Sequence, residues 1–292
     1  MKEKELNIQS ASYVGNPVND TVMFISKKVE HLLVNLEKVS GCLVFCEDNI
    51  DIPSALAEKH VFRPSKTPNL DYTRFVQELD REKKERQRKR QYTLTKGGYY
   101  LGENVQIGKN AYIEPLCFID HDVIIGDYAQ IHAGAKIRSA EIGDYFLINE
   151  NAVVGSYGFT MSTDESGNKI RVPDFGKVII GNHVEIGILT NICVGYGGNT
   201  VIGNNVKIDS LVQVGHDVVI GNNVELVGGT VVGGFVTFGD NSYVGINGSI
   251  KNRLSIGENA IIGMGCVVTK NVPADTTFIG NPGKPFVKNE SK

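Results

Sequence analysis

From Ile202 onward every sixth residue is apolar without a break: Ile202, Ile208, Val214, Ile220, Leu226, Val232, Phe238, Val244, Ile250, Ile256, Ile262 and Val268. An earlier series, Ile107, Ile113, Ile119, Ile125, Ile131 and Ile137, slips by one residue to Ile142, Ile148 and Val154; a shorter one runs Ile180, Ile186, Ile192. A helix places its apolar residues at intervals of 3.6 and an amphipathic strand at intervals of two. A period of six, with Gly, Asn or Asp just after many of the apolar positions, predicts very short strands separated by tight turns. That is the hexapeptide pattern of a parallel β-helix.

The pattern resembles the left-handed, triangular kind, in which three hexapeptides complete one coil, so a residue stacks on the one 18 positions later. Two stretches interrupt it. Residues 156–177, SYGFTMSTDESGNKIRVPDFGK, are polar and out of phase, and are expected to form an extruded loop or hairpin. Residues 193–199, CVGYGGN, delay the next apolar position and are expected to bulge a corner. Upstream, SGCLVFC reads as a buried strand, and VEHLLVNLEKV and DYTRFVQELD read as amphipathic helices. The expected organisation is a small α/β domain over 1–80, a connecting segment over 81–98, coils over 99–275 and a tail over 276–292. The fold class is mainly β.

Composition changes this picture little. The 33 Gly without a triplet period fit many turns rather than collagen, and a net charge of −3 argues against bulk binding to nucleic acid or anionic membranes. The run REKKERQRKR at 81–90, seven basic and two acidic residues in helical register, reads as a solvated connecting helix or a contact for phosphate or an acyl-carrier protein. No apolar stretch is long enough to span a bilayer, and MKEKELNIQS lacks the apolar core of a secretory signal. Five scattered Cys (42, 46, 117, 193, 266) fit buried, unpaired thiols in a reducing cytoplasm, and Cys42 and Cys46 should share one face of their strand.

Two His-Asp pairs stand out, His121-Asp122 and His216-Asp217. Each His falls two residues after a periodic core position, Ile119 or Val214, and is expected at a corner, pointing outward. Their stacking separates them. Above His216 comes Gly234, whose amide no side chain covers, whereas above His121 comes Ser139, where the period slips. A base with a bare N–H one rung above it is the arrangement acyl transfer requires, the base taking a proton from the nucleophile while the amide holds the oxyanion. Asp217 would fix the imidazole tautomer and balance its charge. A metal site is not expected, because zinc needs three or four convergent ligands and no other His lies within 30 residues of His216.

Across nearly the whole chain these residues resemble the UDP-3-O-acylglucosamine N-acyltransferases of lipid A synthesis. The segments that carry the resemblance are NDTVMFISKK, GSYGFTMSTDESGNKIRVPDFGKVIIG and NTVIGNNVKIDSLVQVGHDVVIG. The resemblance implies a homotrimer and an N-terminal domain that binds the uridine nucleotide. It also implies His216 as general base and Gly234 as oxyanion glycine, with Phe24, Tyr157, Gly158 and Phe159 toward the substrate. The family's T-I-D-R-G-A motif is replaced by NICVGYGG, which puts Cys193 and Val194 where its Asp and Arg stand, and its second active-site His corresponds to Arg253. The final segment GMGCVVTKNVPADTTFIGNPGKPF, with only KNESK beyond GKPFV, instead resembles the end of coenzyme A-dependent sugar acetyltransferases. Among these, the UDP-4-amino-sugar N-acetyltransferases also carry His-Asp or His-Glu at the base.

The sequence therefore reads as a cytoplasmic N-acyltransferase moving a short acyl group from coenzyme A to the amine of a nucleotide-linked amino sugar. Gly234, Lys251, Arg253 and Lys270 are the expected coenzyme contacts. The alternatives are the lipid A enzyme with its carrier-protein donor, and a non-catalytic solenoid that binds nucleotide sugars.

Overall fold

A computed structural model describes residues 6–286 of the chain. The expectations placed on KNESK and on the last part of the 276–292 tail lie outside the described residues. The chain divides into two compact units, residues 1–89 with 159–176 and 196–198, and residues 90–158 with 177–195 and 199–292.

The first unit is built on a four-stranded parallel sheet in the order β1 (Ser10–Ala11), β2 (Thr21–Ile25), β3 (Leu43–Glu47), β4 (Val61–Ser65). Met23, Ile25, Cys42, Val44 and Cys46 form its core with Leu33, Leu36 and Leu56, so the two cysteines do share a face. A short helix α1 (Ser54–Lys59) precedes β4, and α2 (Pro68–Gln87) follows it. Leu70, Tyr72, Thr73 and Val76 make the buried stripe of α2. The segment VEHLLVNLEKV differs from expectation. It lies within tight 3₁₀ turns over Lys27–Lys38 that break at Val29, and it buries only Leu33 and Leu36. The basic run is also not a separate connector, since its first seven residues continue α2. There they form ion pairs at the surface, Arg81 with Glu78, Lys84 with the half-buried Asp80 and Arg86 with Glu82. Residues 159–176 belong to this unit and carry a two-stranded hairpin, Met161–Thr163 against Lys169–Arg171.

The second unit is a left-handed parallel β-helix of hexapeptide repeats. Among the described residues its two- to four-residue strands stack into three sheets. Val201 pairs with Val219, Gln213 with Val231 and Glu225 with Tyr243, each 18 residues apart. The coil from Ile125 to Ile142 is one residue short, which is the slip read in the sequence. The coil from Ile180 to Ile202 is longer because of the 193–199 bulge.

All twelve apolar residues of the long series are buried. Each turn also needs one residue in the left-handed backbone region. Asn205, Asp217, Asn223, Phe235, Asn241 and Arg253 all have φ between 55° and 62°. Asn reaches that region at low cost, which explains its place in the rhythm. One corner adds a hydrogen-bonded ladder, in which Asn205, Asn223, Asn241 and Asn259 each donate to the next coil, ending on Asp275.

Candidate active site

His216 stands two residues after the strand Gln213–Val214, at a corner made by residues 215–218. Its Nδ1 lies 2.9 Å from Oδ2 of Asp217. The Asp217 side chain is only 3% exposed and that of His216 is 18% exposed. A buried carboxylate beside Nδ1 favours the tautomer with its proton there, which leaves the lone pair on Nε2.

Gly234 lies on the rung above, because Gln213 pairs with Val231 and Val214 with Val232. A Cβ built on Gly234 would come within 2.6 Å of His216 Nε2, so the absence of a side chain keeps the space over that nitrogen open. At equivalent positions on another corner, the amides of Asn204 and Asn222 are capped by Asn222 and Asp240 of the next coil. The Gly234 amide has no such cap among the described residues. An uncapped N–H beside an accepting imidazole nitrogen can serve proton abstraction and oxyanion stabilisation together.

The first pair is built differently, and the expectation that His121 points outward is corrected. His121 is 7% exposed. Its Nδ1 accepts the amide of Glu103 from the coil below at 2.8 Å, the same capping role that Asn and Asp play elsewhere. The ring of Tyr92 covers it, with centroids 4.4 Å apart. The Tyr92 hydroxyl donates to Asp120, and burial together with that carboxylate pushes the phenol up to about 12. Asp122 turns away to Arg90, which also holds Glu103. The Arg90 hydrogen bonds hold the Asp122 carboxyl below its ordinary range.

Above His216 the column of corner residues continues through Gly234 and Asn252 to Lys270, and Lys251 directly follows the strand Ser249–Ile250 beside it. Lys251, Arg253 and Lys270 are exposed, so these expected coenzyme contacts share the corner of His216. The Arg253 guanidinium is 4.2 Å from the centroid of Phe235. Below His216, Cys193 is buried and its sulfur faces Gln213 Nε2 at 3.3 Å, Ser156 Oγ at 3.5 Å and Asn191 Nδ2 at 3.6 Å. The backbone of Tyr157 lies beside the same sulfur.

The expected substrate residues divide between the units. Tyr157 and Gly158 belong to the coils, and Phe159, 80% exposed, belongs to the first unit with Arg171 over its ring. Phe24 lines a cavity of about 430 Å³ inside the first unit, between the N-terminal end of α2, Ser26, Glu47 and hairpin residues 161–165. The Tyr72 ring is 5.2 Å from that of Phe24. Among the described residues no three His, Cys, Asp or Glu side chains converge on a metal position, and no helix is long and apolar enough to cross a membrane.

Sequence reasoning missed Phe235 and Tyr92. Phe235 had no clear signal, because left-handed corners of this chain hold Asn205 and Asn223 but also Leu211, Tyr145 and Arg253. Tyr92 had no signal, because it reaches His121 only through the way 90–94 pack on the first coils.

The repeats at residues 104–139 and 199–234 match the bacterial transferase hexapeptide (six repeats). The second unit is thus a left-handed β-helix in which two stretches of coils carry the matching hexapeptide repeats. More particularly, it is similar to a UDP-3-O-acylglucosamine N-acyltransferase of Coxiella burnetii, 36% identical over 151 residues, covering 44% of this chain and 44% of the relative. A Rhizobium meliloti protein of the same name is 45% identical over 87 residues, 30% of this chain and 25% of that one. The chain therefore spans less than half the length of these curated relatives. Among solved structures, the UDP-N-acetylglucosamine acyltransferase of Francisella novicida superposes with a TM-score of 0.60 at 26% identity, over 66% of this chain and 69% of that one.

Proposed function

We propose that this protein is an N-acyltransferase that moves an acyl group from a thioester to the amine of a nucleotide-linked amino sugar. The observation that carries the proposal is the His216-Asp217 pair with the uncapped amide of Gly234 above its Nε2. His216 takes the proton from the sugar amine as nitrogen attacks the thioester carbonyl, and Asp217 stabilises the imidazolium. The Gly234 amide holds the oxyanion, and the thiol leaves with a proton returned from His216. The Phe24 cavity takes the nucleotide base, with the hairpin 161–165 as its rim. Tyr157 and Gly158, on the coils, contact the sugar.

The donor we favour is a short acyl-coenzyme A, with Lys251, Arg253 and Lys270 facing its phosphates. The similarity to the Coxiella and Rhizobium proteins supports a second reading, transfer of a long acyl chain from acyl-carrier protein to UDP-3-O-acylglucosamine. A corner site has one wall, and catalysis needs a cleft that excludes water, so we place the site between copies in a homotrimer. Surface-glycan synthesis in the cytoplasm is the setting that follows from a nucleotide-sugar acceptor.

Thiol release with a panel of UDP- and dTDP-amino sugars, comparing acetyl-coenzyme A with 3-hydroxyacyl-carrier protein at matched concentration, tests both readings. Saturable release with acetyl-coenzyme A is expected. Faster release from the carrier protein selects the second reading, and no release with any pair leaves a non-catalytic binder. Sedimentation showing an active monomer removes the shared cleft.

A further inference from the structure

The corner above Asp217 carries a residue that turn geometry does not favour. Phe235 has φ 60°, and the left-handed region is unfavourable for a bulky side chain. Asn223 and Asn241 fill the corresponding position on the next corner around the coil, while Leu211 and Tyr145 show that other corners also carry bulky side chains. The Phe235 ring is fixed on both sides. The imidazole of His216 meets it edge-on, with centroids 5.1 Å apart and planes at 86°, and the Arg253 guanidinium packs on it. Its amide donates to the carbonyl of His216 at 2.9 Å, which ties the two residues' backbones together. Beneath it the Asp217 side chain is 3% exposed, whereas Asp122, at the same position in the other pair, is 58% exposed.

We infer that Phe235 is a positioning residue for His216, its ring excluding water from Asp217 so that this carboxylate stays committed to Nδ1. The inference rests on the reading of His216 as general base. In a water-free contact the carboxylate and Nδ1–H interact more strongly than they would in bulk solvent. The proton then stays on Nδ1 and Nε2 keeps the lone pair. Arg253 holds the ring in place by its charge on the π-face. An Asn at 235 would relieve the backbone and admit water to Asp217.

The variants are Phe235→Asn and Phe235→Tyr. Both residue types already occupy left-handed corners of this chain, at Asn223 and Tyr145, so both variants are expected to fold. Long-range ¹⁵N–¹H spectra of the neutral His216 ring give its tautomer, and thermal unfolding and kcat are read alongside. In the parent the Nδ1–H form is expected to dominate. Phe235→Asn should hold or raise Tm, lose that dominance, and lower kcat by up to about 10²-fold, the lower end of what a general base contributes. Phe235→Tyr should restore both. A Phe235→Asn protein with the parent's tautomer and the parent's kcat overturns the inference. If the parent transfers no acyl group, the reading of the site fails, while the tautomer comparison alone still decides whether Phe235 positions the ring.

Discussion

The two His-Asp pairs share a sequence, a position in the hexapeptide and a left-handed Asp, yet their surroundings differ at every contact. At His121 the Nδ1 lone pair caps a backbone amide, Tyr92 closes the ring face and Asp122 belongs to Arg90. That pair fastens the segment 90–94 to the first coils. At His216 the Asp lies under Phe235 and engages Nδ1, and the next coil offers a glycine instead of a capping side chain. What separates a structural His from a candidate base is therefore the three or four residues stacked around it.

The largest effect should come from removing the candidate base. His216→Ala is expected to lower kcat by about 10²–10⁴-fold with little change in Tm, the usual cost of losing a general base. His121→Ala should leave kcat near the parent value and lower Tm, since it strips the cap from the Glu103 amide. Equal effects on kcat would erase the distinction. Next in size is Gly234→Ala. Its methyl group would enter the space at Nε2, and a loss of roughly 10²-fold in kcat is expected, comparable to losing one oxyanion donor. Circular dichroism should show the fold intact, because the Gly234 backbone is not in the left-handed region.

The smallest effect belongs to the structural pair. Asp122 and Glu103 both titrate below their ordinary values, Asp122 chiefly through Arg90 and Glu103 chiefly through the Gln91 amide and then Arg90. For a carboxylate whose folded pKa is depressed, the stabilisation is present above the unfolded pKa and is lost as pH falls through the folded one. Tm should therefore drop below about pH 4. Asp122→Asn should start lower at neutral pH and drop less on acidification. Identical slopes for parent and variant would show that the Arg90 cluster contributes nothing.

The coils were legible because one rule governs every sixth residue. Ile202 to Val268 must face inward, and Asn or Gly fills about half of the left-handed corners. Stacking at 18 residues was legible for the same reason, and it places Gly234 over His216. The orientation of His121 was not. Its burial depends on Tyr92, about 29 residues away, which leaves no periodic trace. The 3₁₀ turns at Lys27–Lys38 were missed because a 3.6-residue apolar pattern does not report whether each turn closes on the third or the fourth residue.

The central claim is that His216, and not His121, removes a proton from a sugar amine during acyl transfer. The most direct measurement is the mass of the amino-sugar nucleotide after incubation with an acyl thioester and the parent, His216→Ala or His121→Ala protein. The expected result is one added acyl group on the amine with the parent and with His121→Ala, and next to none with His216→Ala. Acylation at the parent rate by His216→Ala, or no acylated amine with any acceptor in the panel, would contradict it.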